Sequence, residues 1–149
     1  MKHVIFYLLL LVSVSACDKK GKDTIYLVPE GFHGRAVIFF DVENGDPEAA
    51  ENGSVVLRLK ENGCLLTRSQ PNFGIFKQTF YFCDSLGKRT CIPEDVEFTS
   101  DTLPSIYGEV TSSVDHNGKK VCIFSFLVCT KKEYPELNRT DIDTSCLDK

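Results

Sequence analysis

Cys-x-x-Cys is missing from a chain that carries seven cysteines. Its absence removes the thioredoxin-type redox pair and the zinc ribbon as readings. There is no Gly-x-Ser-x-Gly elbow, no Gly-rich phosphate loop with its lysine, and no dinucleotide fingerprint, so the commonest hydrolase and nucleotide signatures are absent. Long apolar runs are scarce as well. The longest, Val4 to Val14, is apolar but for Ser13 and covers eleven residues, about half of the ~20 that span a bilayer, which argues against a permanent transmembrane helix there. Sustained helical periodicity is lacking except for a single turn's worth at Glu133–Asn138. Positive charge is in deficit: 17 Lys and Arg face 21 Asp and Glu, a formal net charge of −4. Such a balance argues against nucleic acid as a partner and against electrostatic adhesion to anionic lipid, which leaves anchoring to acyl chains.

What the chain does have begins at its N-terminus. Lys2 and His3 precede the apolar run, and Val14-Ser15-Ala16-Cys17 follows it. Basic start, apolar centre and small residues form a secretory leader. Val-Ser-Ala-Cys resembles a bacterial lipobox, a signal cut before a cysteine that is then acylated. The resemblance implies cleavage of residues 1–16, lipid on Cys17, and a membrane anchor in the cell envelope. Two or three acyl chains, at ~0.8 kcal/mol per buried methylene, give stable attachment. Residues 17–23, with Asp18, Lys19, Lys20, Gly21, Lys22 and Asp23, read as the lipidated cysteine and a short flexible tether. Inner or outer membrane stays open.

Between Thr24 and Thr130 the pattern is strand after strand. Thr24–Val28 and Arg35–Phe40 are β-rich, joined by Pro29-Glu30-Gly31-Phe32-His33-Gly34. Val55, Leu57 and Leu59 alternate with Val56, Arg58 and Lys60, the period of a half-buried strand. Thr79–Cys83 and Tyr107–Ser113 follow. Lys120–Thr130 is apolar on both faces, with Val121, Ile123 and Leu127 on one and Phe124, Phe126 and Val128 on the other, which marks a central strand covered on two sides. Glu-Asn-Gly occurs at 43–45, 51–53 and 61–63, and Asn117-Gly118 follows later. These residues tolerate the positive φ that tight hairpins require. The expected fold is all-β: a single antiparallel β-sandwich domain over 24–130, with 131–149 a polar C-terminal tail unless Cys146 staples it to the body.

Setting Cys17 aside leaves Cys64, Cys83, Cys91, Cys122, Cys129 and Cys146, which in an exported chain allow fifteen connectivities. Cys83 and Cys91 bracket the turn Asp84–Lys88, and a hairpin there could bridge them. Cys122 and Cys129 are an odd number of positions apart on one strand, face opposite sides and cannot pair. Buried free thiols are the alternative.

Ile25-Tyr26-Leu27-Val28-Pro29-Glu30-Gly31-Phe32-His33-Gly34, with Leu59–Thr67 and Pro71-Asn72-Phe73-Gly74, resembles a family of small bacterial lipoproteins. Its motif Tyr-Leu-(Ile/Val)-Pro-x-Gly-(Tyr/Phe)-x-Gly opens a domain of unknown function. The resemblance implies a localisation and no activity, so no catalytic residue is carried over. More loosely, the strand and turn order is similar to transthyretin-like or carboxypeptidase-regulatory-like sandwiches.

His33 and His116 sit in turns without further ligands at metal spacing. Asp41, Glu43, Asp46, Glu48 and Glu51 form an acidic segment without EF-hand spacing. Glu97, Asp101 and Glu109 could pair as acid and base, as any acidic chain allows. Phe73, Phe76, Phe80, Tyr81 and Phe82 cluster, most of them for the core, with Phe73 also able to anchor a partner. The expectation is therefore a membrane-anchored accessory or partner-binding lipoprotein, not an enzyme, with no cofactor and no metal. Its contact residues would be Pro29, Gly31, Phe32, Gly34 and Phe73, and its partner an envelope protein or polymer. The alternatives are an envelope hydrolase and a calcium- or small-ligand-binding lipoprotein. Cys17→Ser is expected to accumulate as unprocessed precursor on immunoblots; normal processing to a soluble mature chain would reject the lipid anchor.

Overall fold

The computed structural model describes residues 20–94 and 101–148. The leader, Cys17 and Glu97 lie outside the described residues. Among the described residues nine strands form two sheets: β1 (Thr24–Pro29), β2 (Gly34–Phe39), β3 (Ala49–Glu51), β4 (Ser54–Arg58), β5 (Cys64–Leu66), β6 (Gln78–Cys83), β7 (Arg89–Ile92), β8 (Ser105–His116) and β9 (Lys119–Cys129). The first sheet runs β3-β4-β1-β6-β7 and the second β5-β2-β9-β8. The all-β sandwich is present. Its sheets are mixed, not antiparallel throughout: β1 is parallel to both β4 and β6, and β2 is parallel to β5. The hairpins named by Asn-Gly form as expected at Asn52-Gly53 and Asn117-Gly118, all four residues at positive φ. Gly45 does otherwise: a Cβ there would collide with the Thr67 backbone, so this third Asn-Gly serves close chain approach.

Alternation along β9 explains the layering. Phe124, Phe126 and Val128 face the first sheet, where Tyr26, Val28, Leu57 and Phe80 meet them. Tyr26 stacks on Phe80 at 4.7 Å, and Phe80 meets Phe126 edge-on at 5.0 Å, the arrangements that ring quadrupoles favour. Burial pushes the Tyr26 hydroxyl above the ordinary tyrosine range, with the Glu109 charge adding to it.

The opposite face of β9 is covered by the C-terminal segment. Val121 and Ile123 pack with Val37, Phe39, Cys64 and Cys146, flanked by Ile142 and Leu147. Leu127 and Cys129 pack with Tyr107, Tyr134 and Leu137. The last two belong to a one-turn helix, α1 (Tyr134–Leu137), at the single turn that the sequence pattern indicates. Residues 131–148 are thus a third layer, not a loose tail. Cys146, in the 3-10 turn Ser145–Asp148, is disulfide-bonded to Cys64 of β5, with 6.7 Å between their Cα atoms and 82 residues of sequence separation.

Cys83 and Cys91 are both free, which corrects the expected bridge. The hairpin forms, but its register sets Cys83 opposite Arg89 and Cys91 opposite Tyr81. The two thiols are diagonal neighbours, roughly 7–8 Å apart by sheet geometry, beyond the usual span of a disulfide. Cys122 and Cys129 are also free and lie on opposite faces of β9. Burial raises the Cys129 thiol to about 11.

The first sheet is strongly curled. Its edge strands β3 and β7 are four strand spacings apart, roughly 19 Å in a flat sheet. Yet Arg89 of β7 donates two hydrogen bonds to the Glu51 carboxylate of β3, at 3.0 and 2.7 Å. This fork joins the two edge strands of the sheet through a bidentate, charge-assisted pair. Cys146→Ser is expected to lower unfolding stability by about 2–4 kcal/mol, as for other long-loop disulfides. Denaturant melts check this, and non-reducing peptide maps should link Cys64 to Cys146 while Cys83 and Cys91 take up alkylating reagent.

Candidate functional site

Strands β4, β1 and β6 are parallel neighbours, so all three end at the same end of the sandwich and their following loops emerge together. A cavity of about 330 Å³ opens there, lined among others by Pro29, Glu30, Arg58, Glu61, Cys83 and Asp84. Leu27, Val28 and Leu59 also border it, each at most 4% exposed. Arg58 crosses over Leu27 and places Nη1 3.2 Å from Cys83 Sγ. Asp84 is spent on the turn: its Oδ1 accepts from the amides of Leu86 and Lys88, at 2.9 and 2.8 Å. Glu30 and Glu61 flank the opening and are exposed. The cavity therefore offers one guanidinium and two carboxylates at its opening, a polarity suited to binding a charged or hydrogen-bonding group.

The β1–β2 turn forms the wall. The Phe32 amide donates to the Pro29 carbonyl at 3.1 Å, with Gly31 at φ 75°; glycine at the third turn position is what this geometry selects. Pro29 lines the cavity, and Gly31 is exposed to solvent. Phe32 turns inward, packs on the core, and fills the space where a Cβ on Gly63 would be. Gly34 (φ 131°) opens β2. Two contacts tie this end to the third layer. His33 Nδ1 lies 3.5 Å from Glu133 Oε2, and Arg35 Nη2 donates to the Leu137 carbonyl at 3.3 Å. Glu133 is held below the ordinary carboxylate range by the Thr130 amide and hydroxyl, with His33 assisting.

Phe73 lies at the other end. It is 65% exposed, with Ile75 74% exposed beside it, so it belongs to neither the core nor the cavity. The remaining candidates are scattered. His33 stands at the cavity end and His116 at the opposite one, in the β8–β9 hairpin, so the two histidines do not meet. In the acidic segment Asp41 accepts from Gln70, Glu48 pairs with Lys22, and Glu51 with Arg89. Among the described residues no three His, Cys, Asp or Glu side chains gather to hold a metal ion. Glu109 follows a bulge at Gly108; desolvation, then the Glu94 charge, raises its carboxyl. Arg58, Glu61 and Cys83 were not singled out as a site by sequence reasoning, because only the parallel pairing of three strands brings them together.

A two-sheet sandwich with a charged crevice at one end and a stapled third layer is the class of protein that these features define. The chain belongs to the DUF6843 family, a family of unknown function whose model matches residues 20–138. No curated protein matches it. Its fold is similar to the 2.75 Å crystal structure of a candidate lipoprotein from Bacillus anthracis, at 21% identity over 85% of this chain and 84% of that one, with a TM-score of 0.62.

The Arg89–Glu51 fork has a testable acid signature. The hydrogen bonds from Arg89 lower the Glu51 carboxyl, so their contribution is present above the ordinary glutamate range and is lost as pH falls through the depressed value. Thermal melts between pH 7 and 3 are expected to show a steeper acid loss for the native chain than for Glu51→Gln; equal slopes would remove the fork from the stability of the first sheet.

Proposed function

We propose that this protein is a lipid-anchored envelope lipoprotein that acts without catalysis, presenting the cavity end of its sandwich to an envelope protein or polymer. The leader and the lipobox-like Val14–Cys17 support the anchor, and the similar Bacillus anthracis chain is itself named as a candidate lipoprotein. The observation that carries the binding reading is polarity of the domain. The chain enters at the start of β1, beside Lys20, while the Pro29–Gly34 turn and the cavity lie at the far end of β1, roughly 17–20 Å away. An anchor at one end leaves the other end facing outward, and exposed loops on a rigid sheet are where recognition resides.

Arg58, Glu30 and Glu61 are the residues that would orient the bound group. The cavity holds no histidine, and the nearby His33–Glu133 pair is an exposed contact outside it. In-cell photo-crosslinking from position 30, with affinity capture and mass spectrometry, is expected to yield one recurrent envelope partner. The same probe at exposed Glu43, at the opposite end, should not yield it, and Arg58→Ala should reduce the yield severalfold. Equal capture from both positions, or reproducibly empty capture from position 30, would overturn the assignment.

A further inference from the structure

We propose that the Phe73–Ile75 loop is a lipid-facing contact that beds the sandwich onto the surface of the bilayer, a role that rests on the anchor proposed above. The loop is apolar where a soluble surface would be polar: Phe73 and Ile75 are 65% and 74% exposed, with half-buried Phe76 next to them. Adjacent exposed aromatic and branched side chains are a recognised mark of an interaction surface.

Its place in the fold selects lipid as the occupant. Residues 20–24, read from sequence as the end of a flexible tether, are zipped to this loop. Lys20 bridges Ile75, and the Gly21 amide donates to the Ile75 carbonyl at 3.1 Å. The Thr24 amide donates to the Lys77 carbonyl at 2.8 Å, and the Lys77 amide to Asp23 Oδ1 at 3.0 Å. Asn72 Nδ2 closes on the Lys22 carbonyl. A Cβ on Gly21 would collide with Asn72 and Phe76, so this close fit depends on glycine. Cys17 is three residues before Lys20. Even fully extended, that stretch reaches only about 11 Å, a few ångströms more than the roughly 5–8 Å of one headgroup layer. An acyl-anchored Cys17 therefore holds Phe73 and Ile75 within reach of the interface, where aromatic and aliphatic side chains partition.

The charges around the loop fit the same surface. Lys20 and Lys77 are exposed beside it, and Asp23 accepts the Lys77 amide. Lys22 pairs with Glu48 at 3.0 Å, so the excess is small and the contact is led by apolar insertion. Acidic residues stand at this end too, Asp41 bonded to Gln70 and Glu48 to Lys22, so apolar insertion and the acyl anchor, not charge, carry the contact.

The test uses the full chain, expressed with its leader and kept in its native membrane. A benzophenone side chain replaces Phe73, Ile75 or, as the reference, Leu86, which is 92% exposed at the opposite end. After irradiation, lipid adducts and acylation of Cys17 are read from the same digest by mass spectrometry. Acylated Cys17 with phospholipid adducts at positions 73 and 75, severalfold above position 86, is the expected result. Acylated Cys17 with no such excess, or with protein adducts at 73 and 75, overturns the lipid contact and leaves the anchor standing. Unacylated Cys17 overturns the anchor, and the lipid contact with it. Phe73→Ser/Ile75→Ser in the same membranes should fold with unchanged melting, since neither side chain is in the core, and should become accessible to added protease near residue 75.

Discussion

Everything in this domain follows from one strand being apolar on both of its faces. β9 carries Phe124, Phe126 and Val128 on one side and Val121, Ile123 and Leu127 on the other, and all but Val121 and Phe124 are at most 0% exposed. Each side chain of this size withdraws apolar surface worth about 1.5–3 kcal/mol from water. A strand built this way demands a cover on each side. The first sheet supplies one, through the stacked and edge-on contacts of Tyr26 and Phe80. The chain after β9 supplies the other, and the Cys64–Cys146 disulfide fixes it in place. Sandwich, third layer and staple are three answers to a single patterning fact.

How far this was legible depends on what kind of information each feature needs. The strands at Thr24, Gly34, Ser54, Gln78, Ser105 and Lys119 could be read because alternation is local and strong. The two faces of β9, and the separation of Cys122 from Cys129, followed from the same parity. Strand direction could not be read, because a half-buried strand shows the same pattern beside a parallel or an antiparallel neighbour. β3, β5 and β7 are three or four residues long, too short to show a period. The misplaced disulfide is instructive: spacing put Cys83 and Cys91 around one turn, but pairing is decided by register, and the register is offset by two residues.

The candidate site was legible in pieces. The Pro29–Gly34 turn carried its own signal in Pro and Gly, and the structure places it at the cavity, with Phe32 diverted into the core. Phe73 carried an aromatic signal that could mean core or contact, and only its exposure decides. Sequence treated the two as one contact set, whereas the strands separate them to opposite ends. Arg58 and Glu61 were silent, and Cys83 spoke only as a disulfide candidate, because their proximity is created by three non-consecutive strands finishing together, a property of topology that no short window contains.

The third layer also imposes an order in time. Residues 131–148 come after every strand in the chain, yet they cover Val37 and Phe39 of β2. During synthesis or export from the N-terminus, the second sheet must wait with one greasy face bare until the whole β region and the segment beyond it have emerged. Completion then requires an oxidant to join Cys64 to Cys146. A domain of this design completes the cover of its second sheet only after its C-terminal segment arrives, and the disulfide then holds that late-arriving layer to a strand made long before it.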